Sequence, residues 1–259
     1  MLRRHLLTSV ILTLVVGIGL GLAYPAVVWG ISAVAFPWRA NGSFVHRDGK
    51  VVGSALIGQE FLGKDGNPDP RYFQPRPSEA GNGYDPTASG ASNLGPSNPL
   101  LVGFIPGLNT VDLNGNPSAT NPFATTDDPY CVPTDAKTGN PVTSPSPGQQ
   151  YAKNKDGSYV CDTSTVPERV LAYRELNNLA PTVEVPVDAV TASGSGLDPD
   201  ISVANADLQA ARVASARHLP VPTVMALVKQ HTNNPQWGFL GERTVNVLDL
   251  NMALDALHA

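Results

Sequence analysis

A chain of 259 residues with a formal net charge of −5 is long enough for one domain and an appendage. Its 17 Lys and Arg are scattered, without the basic stripe that nucleic acid requires, so a nucleic-acid partner is excluded. Gly and Pro, 24 of each, make up nearly a fifth of the residues against an ordinary share of about 12 per cent. They concentrate before residue 150, which predicts a loop-rich first half.

The first element is apolar. Leu6 to Tyr24 contains no charged residue, and at about 1.5 Å per residue it spans roughly 28 Å, close to the hydrocarbon thickness of a bilayer. This predicts a membrane anchor over 6–36 with its core over 6–24. Membrane lipid is then one partner. Arg3 and Arg4 precede the run, and the basic flank of a crossing stays in the cytoplasm, so 1–5 are expected inside and 37–259 outside. The competing reading is a cleaved signal peptide, with Ala33-Val34-Ala35 as the small-x-small site. Length stands against it, because no Asp, Glu, Lys or Arg occurs between Arg4 and Arg39, whereas a signal-peptide core runs about 7 to 15 residues. Pro25 is expected to kink the helix, and Trp29 and Trp38 suit the headgroup level.

Beyond the anchor, Ser43 to Gln59 reads as a hairpin turning at Asp48-Gly49. Phe61 to Pro99 is rich in turn formers and poor in apolar periodicity, a pattern expected of a functional loop or one ordered by a partner. Residues 102–165 read as a loop-rich insert carrying Cys131 and Cys161. In an oxidising outer compartment these two predict a disulfide; their spacing is far from CxxC and no histidine lies near. A small hairpin turning at Asp156-Gly157 is expected at the base of the insert.

Regular structure returns at Thr165, a candidate N-cap, with Val170, Tyr173 and Leu176 at helical spacing and Pro181 as terminator. Val183 to Ala192 alternates as a strand, with Pro186 marking an edge or bulge. After a tight loop, Ser202 is expected to cap a helix over 203–218; further helices are predicted over 222–231 and 246–257. The fold class is α+β: one N-terminal transmembrane helix, then one extracytoplasmic α+β domain with a disulfide-tied, loop-rich insert.

Few patterns carry chemistry. Ser193-Gly194-Ser195-Gly196 lacks the GxSxG order of a hydrolase elbow, and a triad of Ser195, Asp198 and His218 or His231 has no spacing to support it. Asp198 and Asp200 lack the continuation of a calcium loop, and the histidines are dispersed, so no metal site is expected. There is no GxxxxGK[ST]. "TDAKTGN" at Thr134 to Asn140 only superficially matches the DKTG phosphorylation motif of P-type ATPases, so the chain is not expected to hydrolyse ATP.

The phrases "YPAVVWGISAVAFPWRANGS", "GSALIGQEF", "RYFQPRPS", "YDPTASGASNLGPSNP", "VTASGSGLDPDIS" and "GERTVNVLDLNMALDAL" occur in that order. In them the chain closely resembles the C subunit of the Kdp potassium-transporting ATPase, over roughly residues 2–101 and 166–258. The resemblance implies a bacterial inner-membrane complex with a channel-like A subunit that binds potassium, a P-type B subunit that hydrolyses ATP, and a small F subunit. It implies a non-catalytic, single-pass accessory subunit, described as a catalytic chaperone that raises the ATP affinity of the B subunit. Residues 102–165 gain no function from it.

On that basis the outer domain is expected to pack on the A subunit, with Tyr72, Phe73, Arg76 and Tyr84 as contact candidates, since aromatics and arginine dominate interface hot spots. Ser193, Gly194, Ser195 and Gly196 form the glycine-rich turn worth testing for nucleotide. No firmly bound cofactor is expected, ATP being reached only through the complex. The rival readings are a membrane-anchored hydrolase using Ser195 and a free-standing extracytoplasmic binding module.

Overall fold

The computed structural model describes residues 2–95, 98, 101, 121–125, 130–142 and 148–257. It divides into two compact units, residues 1–56 and 57–259.

In the first unit, α1 (Leu2–Ile18), a wider π-type turn (Gly19–Ala23) and α2 (Tyr24–Ala35) run end to end. The stretch Arg3–Ala35, 33 residues, is the one helix among the described residues long and apolar enough to cross a membrane. Its Leu, Val and Ile side chains are exposed on every side, with no stripe turned to a core, as a lipid-facing helix requires. Pro25 stands in the first turn of α2, directly after the widened turn. Proline lacks an N–H and crowds the carbonyl four residues back, here that of Gly21, and the wider turn relieves that crowding where a kink was expected.

Phe36 leaves helical geometry, and a short α3 (Pro37–Ala40) follows. The hairpin is shorter than expected, β1 (Phe44–Arg47) pairing antiparallel with β2 (Lys50–Ser54). Asp48 and Gly49 at its turn have φ of 50° and 75°, the positive values that a tight two-residue hairpin turn demands.

In the second unit, α4 (Val166–Leu176), α5 (Val187–Val190), β3 (Asp200–Ser202), α6 (Val203–Ala216), α7 (Val221–Gln230), β4 (Thr232–Asn233), β5 (Thr244–Asn246) and α8 (Val247–Ala256) follow in order. The strands form an antiparallel sheet in the order β3-β5-β4. Three helices start on side-chain caps, Thr165 on Glu168 N, Ser202 on Asn205 N and Asn246 on Asp249 N. Ala206, Ala210, Val213 and Ala214 of α6 pack with Val224 and Val228 of α7, Leu250 and Leu254 of α8, and Ile201 and Val245 of the sheet. The small alanines let α7 approach α6 closely.

The strand expected over Val183 to Ala192 is not formed; α5 occupies its middle, entered from Pro186. Asp188 explains the difference. Its carboxylate accepts from Ser202 N (2.7 Å), Ser202 Oγ (2.8 Å) and Asn205 Nδ2 (3.0 Å), so the turn of helix is fixed by the cap of α6.

Cys131 and Cys161 are joined by a disulfide. Around it Phe123, Val132 and Val142 make a second, smaller core with Tyr151 and Tyr159 packed on it, and Phe123 meets both tyrosine rings at 4.8 and 4.9 Å. The turn expected at Asp156-Gly157 is present, Lys153 bridging to Tyr159 across it.

Candidate functional site

Helix α6 carries two faces. Its alanines and Val213 face the core, while Asn205, Gln209 and Arg212, at i, i+4 and i+7, line one polar edge that is also buried. That edge holds the irregular stretch beginning at Asp69. Gln74 N donates to Gln209 Oε1 (2.7 Å), and Gln209 Nε2 donates back to Gln74 O (3.0 Å). Asn251 of α8 does the same for Phe73, accepting from its N–H and donating to its carbonyl, both at 2.9 Å. A side-chain amide presents the same donor and acceptor as a peptide group, so two amides stand in for a neighbouring strand.

Arg212 completes the clamp. Its Nη1 donates to Pro70 O (2.7 Å) and Tyr72 O (3.0 Å), its Nε to Asn177 Oδ1 (2.9 Å) and its Nη2 to Gln209 Oε1 (2.8 Å). Burial pulls the Arg212 guanidinium down to about 10, so it stays protonated at neutral pH and keeps all its donors.

Beside this clamp, the segment from Glu60 to Pro77 and helix α4 wall a cleft of about 550 Å³. Its cations are already engaged: Arg76 Nη1 lies 3.0 Å from Asp198 Oδ2, and Arg169 Nη2 lies 2.6 Å from Glu79 Oε1. Tyr173 donates to Asn205 Oδ1 at 2.8 Å, and burial raises its phenol further from ionisation. The cleft holds backbone in place and offers no nucleophile paired with a base. Among the described residues no group of three His, Cys, Asp or Glu is placed to hold a metal ion.

The Ser193–Gly196 turn is anchored through two of its carbonyls, with Gly194 and Ser195 exposed and Gly196 buried. Ser78 Oγ donates to Gly196 O (2.6 Å), while Ser89 Oγ (2.9 Å) and Gly90 N (3.0 Å) donate to Ser195 O. Leu197 N donates to Ser195 Oγ, and Gly196 N to Ser193 O. A phosphate cradle needs free N–H groups pointing at the ligand; Gly196 N is used within the turn, and Leu197 N lies just beyond it. Ser195 Oγ has Ser193 Oγ and Leu197 N as its neighbours, and Asp198 is engaged by Arg76, so the triad imagined from sequence is not brought together.

The contact candidates are dispersed in depth. Phe73 is fully buried in the main core and has no surface to offer a partner. Tyr84 is 8% exposed, its hydroxyl donating to Arg76 O at 2.8 Å. Arg76 is half-buried in its ion pair. Tyr72 lies against Arg217, whose guanidinium carbon is 4.7 Å from the ring centroid, and donates to Asp255 Oδ2 at 3.3 Å. Within the stretch expected to need a partner for its order, Pro70 to Gln74 are held by the chain's own Gln209, Asn251 and Arg212, a role that sequence reasoning did not assign to them. The available signal was a polar residue set inside an apolar helical pattern, Gln209 beside Ala210 and Asn251 beside Leu250.

Against known proteins, the family model described as "K+-transporting ATPase, c chain" matches residues 6–138 and 113–256. The chain is 40% identical over 256 residues to the potassium-transporting ATPase KdpC subunit of Mycobacterium tuberculosis, covering 99% of this chain and all of that protein. It is similar to the proteins of the same name from Kineococcus radiotolerans (41% over 253 residues, 98% and 94% covered) and Gemmatimonas aurantiaca (39% over 259 residues, 100% and 96% covered). These matched spans run through residues 102–165, the region set aside as an insert.

Proposed function

Because this chain belongs to the KdpC family, the c chain of K+-transporting ATPases, and is a non-catalytic subunit of that complex, we propose that it is a single-pass accessory subunit whose extracytoplasmic domain stabilises the assembly. Its partners are the channel-like A subunit, the P-type B subunit and the small F subunit, in a bacterial inner membrane with the N-terminus cytoplasmic. The observation that carries this reading is the match from end to end, which takes in the apolar helix and the α+β unit together.

The subunit also acts as a catalytic chaperone for ATP, and it does so at a distance. Arg3 and Arg4 before the apolar helix favour a cytoplasmic N-terminus and an outer domain, whereas the nucleotide of the B subunit is inside. The complex purified with and without this chain tests it, with potassium-stimulated ATP hydrolysis followed against ATP concentration. The expected result is a KM for ATP several-fold higher without the chain. An unchanged KM would remove the chaperone role and leave assembly alone.

A further inference from the structure

The C-terminal end of the apolar helix is fixed by hydrogen bonds. Phe36 N donates to Ser32 O (2.9 Å), the backbone then leaves helical geometry at Phe36 (φ −137°, ψ 54°), and Pro37–Ala40 makes one further helical turn. The hairpin is tied to that turn. Ser43 N donates to Trp38 O (3.0 Å), the Trp38 indole N–H to Phe44 O (3.2 Å) and Ser54 Oγ to Gly42 O (2.7 Å). At the break Ser32, Phe36, Arg39 and Ala40 line a pocket of about 330 Å³, within the size range of small-ligand sites.

Two donors of this pocket are uncommitted. Neighbouring polar groups are used internally, Asn41 Nδ2 donating to Pro37 O at 2.6 Å. Among the described residues, however, neither the Arg39 guanidinium nor the Ser32 hydroxyl has a hydrogen bond or an ion pair. The first acidic residue of the chain is Asp48, which lies 4.0 Å from Arg47. Residues 1–56 hold five basic side chains, Arg3, Arg4, Arg39, Arg47 and Lys50, against that one acid, a formal +4 in a chain of −5. A guanidinium fork and a hydroxyl lining one pocket call for an anion with several acceptor oxygens.

Depth decides which anion. Arg3–Ala35 is a helix of 33 residues, and at about 1.5 Å per residue and an ordinary tilt of about 20° it reaches across roughly 46 Å. A bilayer with both headgroup layers measures about 40–45 Å. With Arg3 and Arg4 among the headgroups of one side, the pocket falls among those of the other, where every phospholipid presents a phosphodiester. Phe36, Trp38, Phe44 and Val51 are each at least half exposed around it, as suits side chains set into the boundary between headgroups and acyl chains. A crossing ordinarily carries few Arg or Lys on its outer flank. Arg39 stands there against that preference, which a bound phosphate explains.

We propose that the pocket of Ser32, Phe36, Arg39 and Ala40 is a phospholipid site, the phosphodiester oxygens accepting from the Arg39 guanidinium and the Ser32 hydroxyl while the acyl chains run back along the apolar helix. This rests on the single-pass reading above.

The test uses the full-length tagged chain, purified in maltoside with the ATPase chains that accompany it and titrated with dioctanoyl phosphatidylglycerol, bound lipid being counted by native mass spectrometry. The difference between wild type and Arg39 variants isolates this site from other lipids on the complex. Arg39→Gln is expected to weaken binding there ~10-fold, the scale of one charge-assisted hydrogen bond, and Arg39→Lys, which keeps the charge, by much less. Because Arg39 makes no bond to the described chain, both variants are expected to melt as the wild type does. Equal binding by Arg39→Gln and wild type would overturn the site. Displacement of the lipid by an equal concentration of inorganic phosphate would overturn the lipid as its ligand and assign the pocket to a free anion. Washing membranes with alkaline carbonate separates the two failures: a chain that washes off would overturn the single-pass reading and the site with it, whereas a chain that stays, with binding indifferent to Arg39→Gln, would overturn the site alone. Should Arg39→Gln fail to accumulate, a photoreactive benzoylphenylalanine in place of Phe36 supplies the second readout in intact membranes. A cross-link to phospholipid supports the proposal; a cross-link to protein alone, or to nothing, overturns it.

Discussion

Arg212→Leu is expected to lower the stability of the second unit by about 4 kcal/mol, from several neutral acceptors that lose their donor at about 1–3 kcal/mol each. The substitution removes the donor that Pro70 O, Tyr72 O and Asn177 Oδ1 now have at 2.7 to 3.0 Å, while Gln209 Oε1 keeps Gln74 N. Each buried acceptor left unpaired costs about 1–3 kcal/mol, and the leucine side chain recovers only part of that. Arg212→Lys should restore little, because a single ammonium cannot span acceptors arranged around a planar fork. Urea unfolding of the detergent-solubilised chain measures the loss. A midpoint equal to that of the wild type would show that the Asp69–Gln74 stretch is held by something other than this clamp.

The second large effect is expected at Gly196. Its φ is +69°, and a Cβ there would lie 2.6 Å from Gly90 O, 2.8 Å from Ala80 N and 2.9 Å from Ala80 Cβ. Two of the three obstacles are backbone atoms, which cannot swing aside. Strain in the left-handed region costs about 1–2 kcal/mol, and overpacking adds about 1–3 kcal/mol. Gly196→Ala should therefore destabilise by about 3 kcal/mol and lower Tm by roughly 6–12 °C for a unit of this size. Gly194→Ala is the internal control, since nothing lies within 4 Å of its Cβ position. A melting temperature for Gly196→Ala matching that of Gly194→Ala would mean that the turn is not pressed against the 78–90 loop.

Both predictions concern contacts that the sequence conceals. The apolar helix was legible because nothing but a continuous uncharged run is needed to specify it, and α4, α6 and α8 because Thr165, Ser202 and Asn246 mark their starts. Val183 to Ala192 misled because alternation over a few residues fits a strand as well as a helical turn, and only the contact of Asp188 with Ser202 decides between them. The stretch from Asp69 onward carries no periodicity because its hydrogen-bond partners are side chains from α6 and α8, 135 and 178 residues away. Tyr72 and Phe73 drew attention as aromatics in a loop. Aromatic content does not tell an inward ring from an outward one, and Phe73 points inward while Trp237 and Phe239 point out.

The measurement that most directly tests the account is purification of the tagged chain from membranes of potassium-starved native cells, with the co-purifying chains identified by mass. The account predicts that a large channel-like protein and a P-type ATPase accompany it, with potassium-stimulated ATP hydrolysis in the same fraction. A chain that elutes alone, with no such activity attached to it, would contradict the accessory-subunit role.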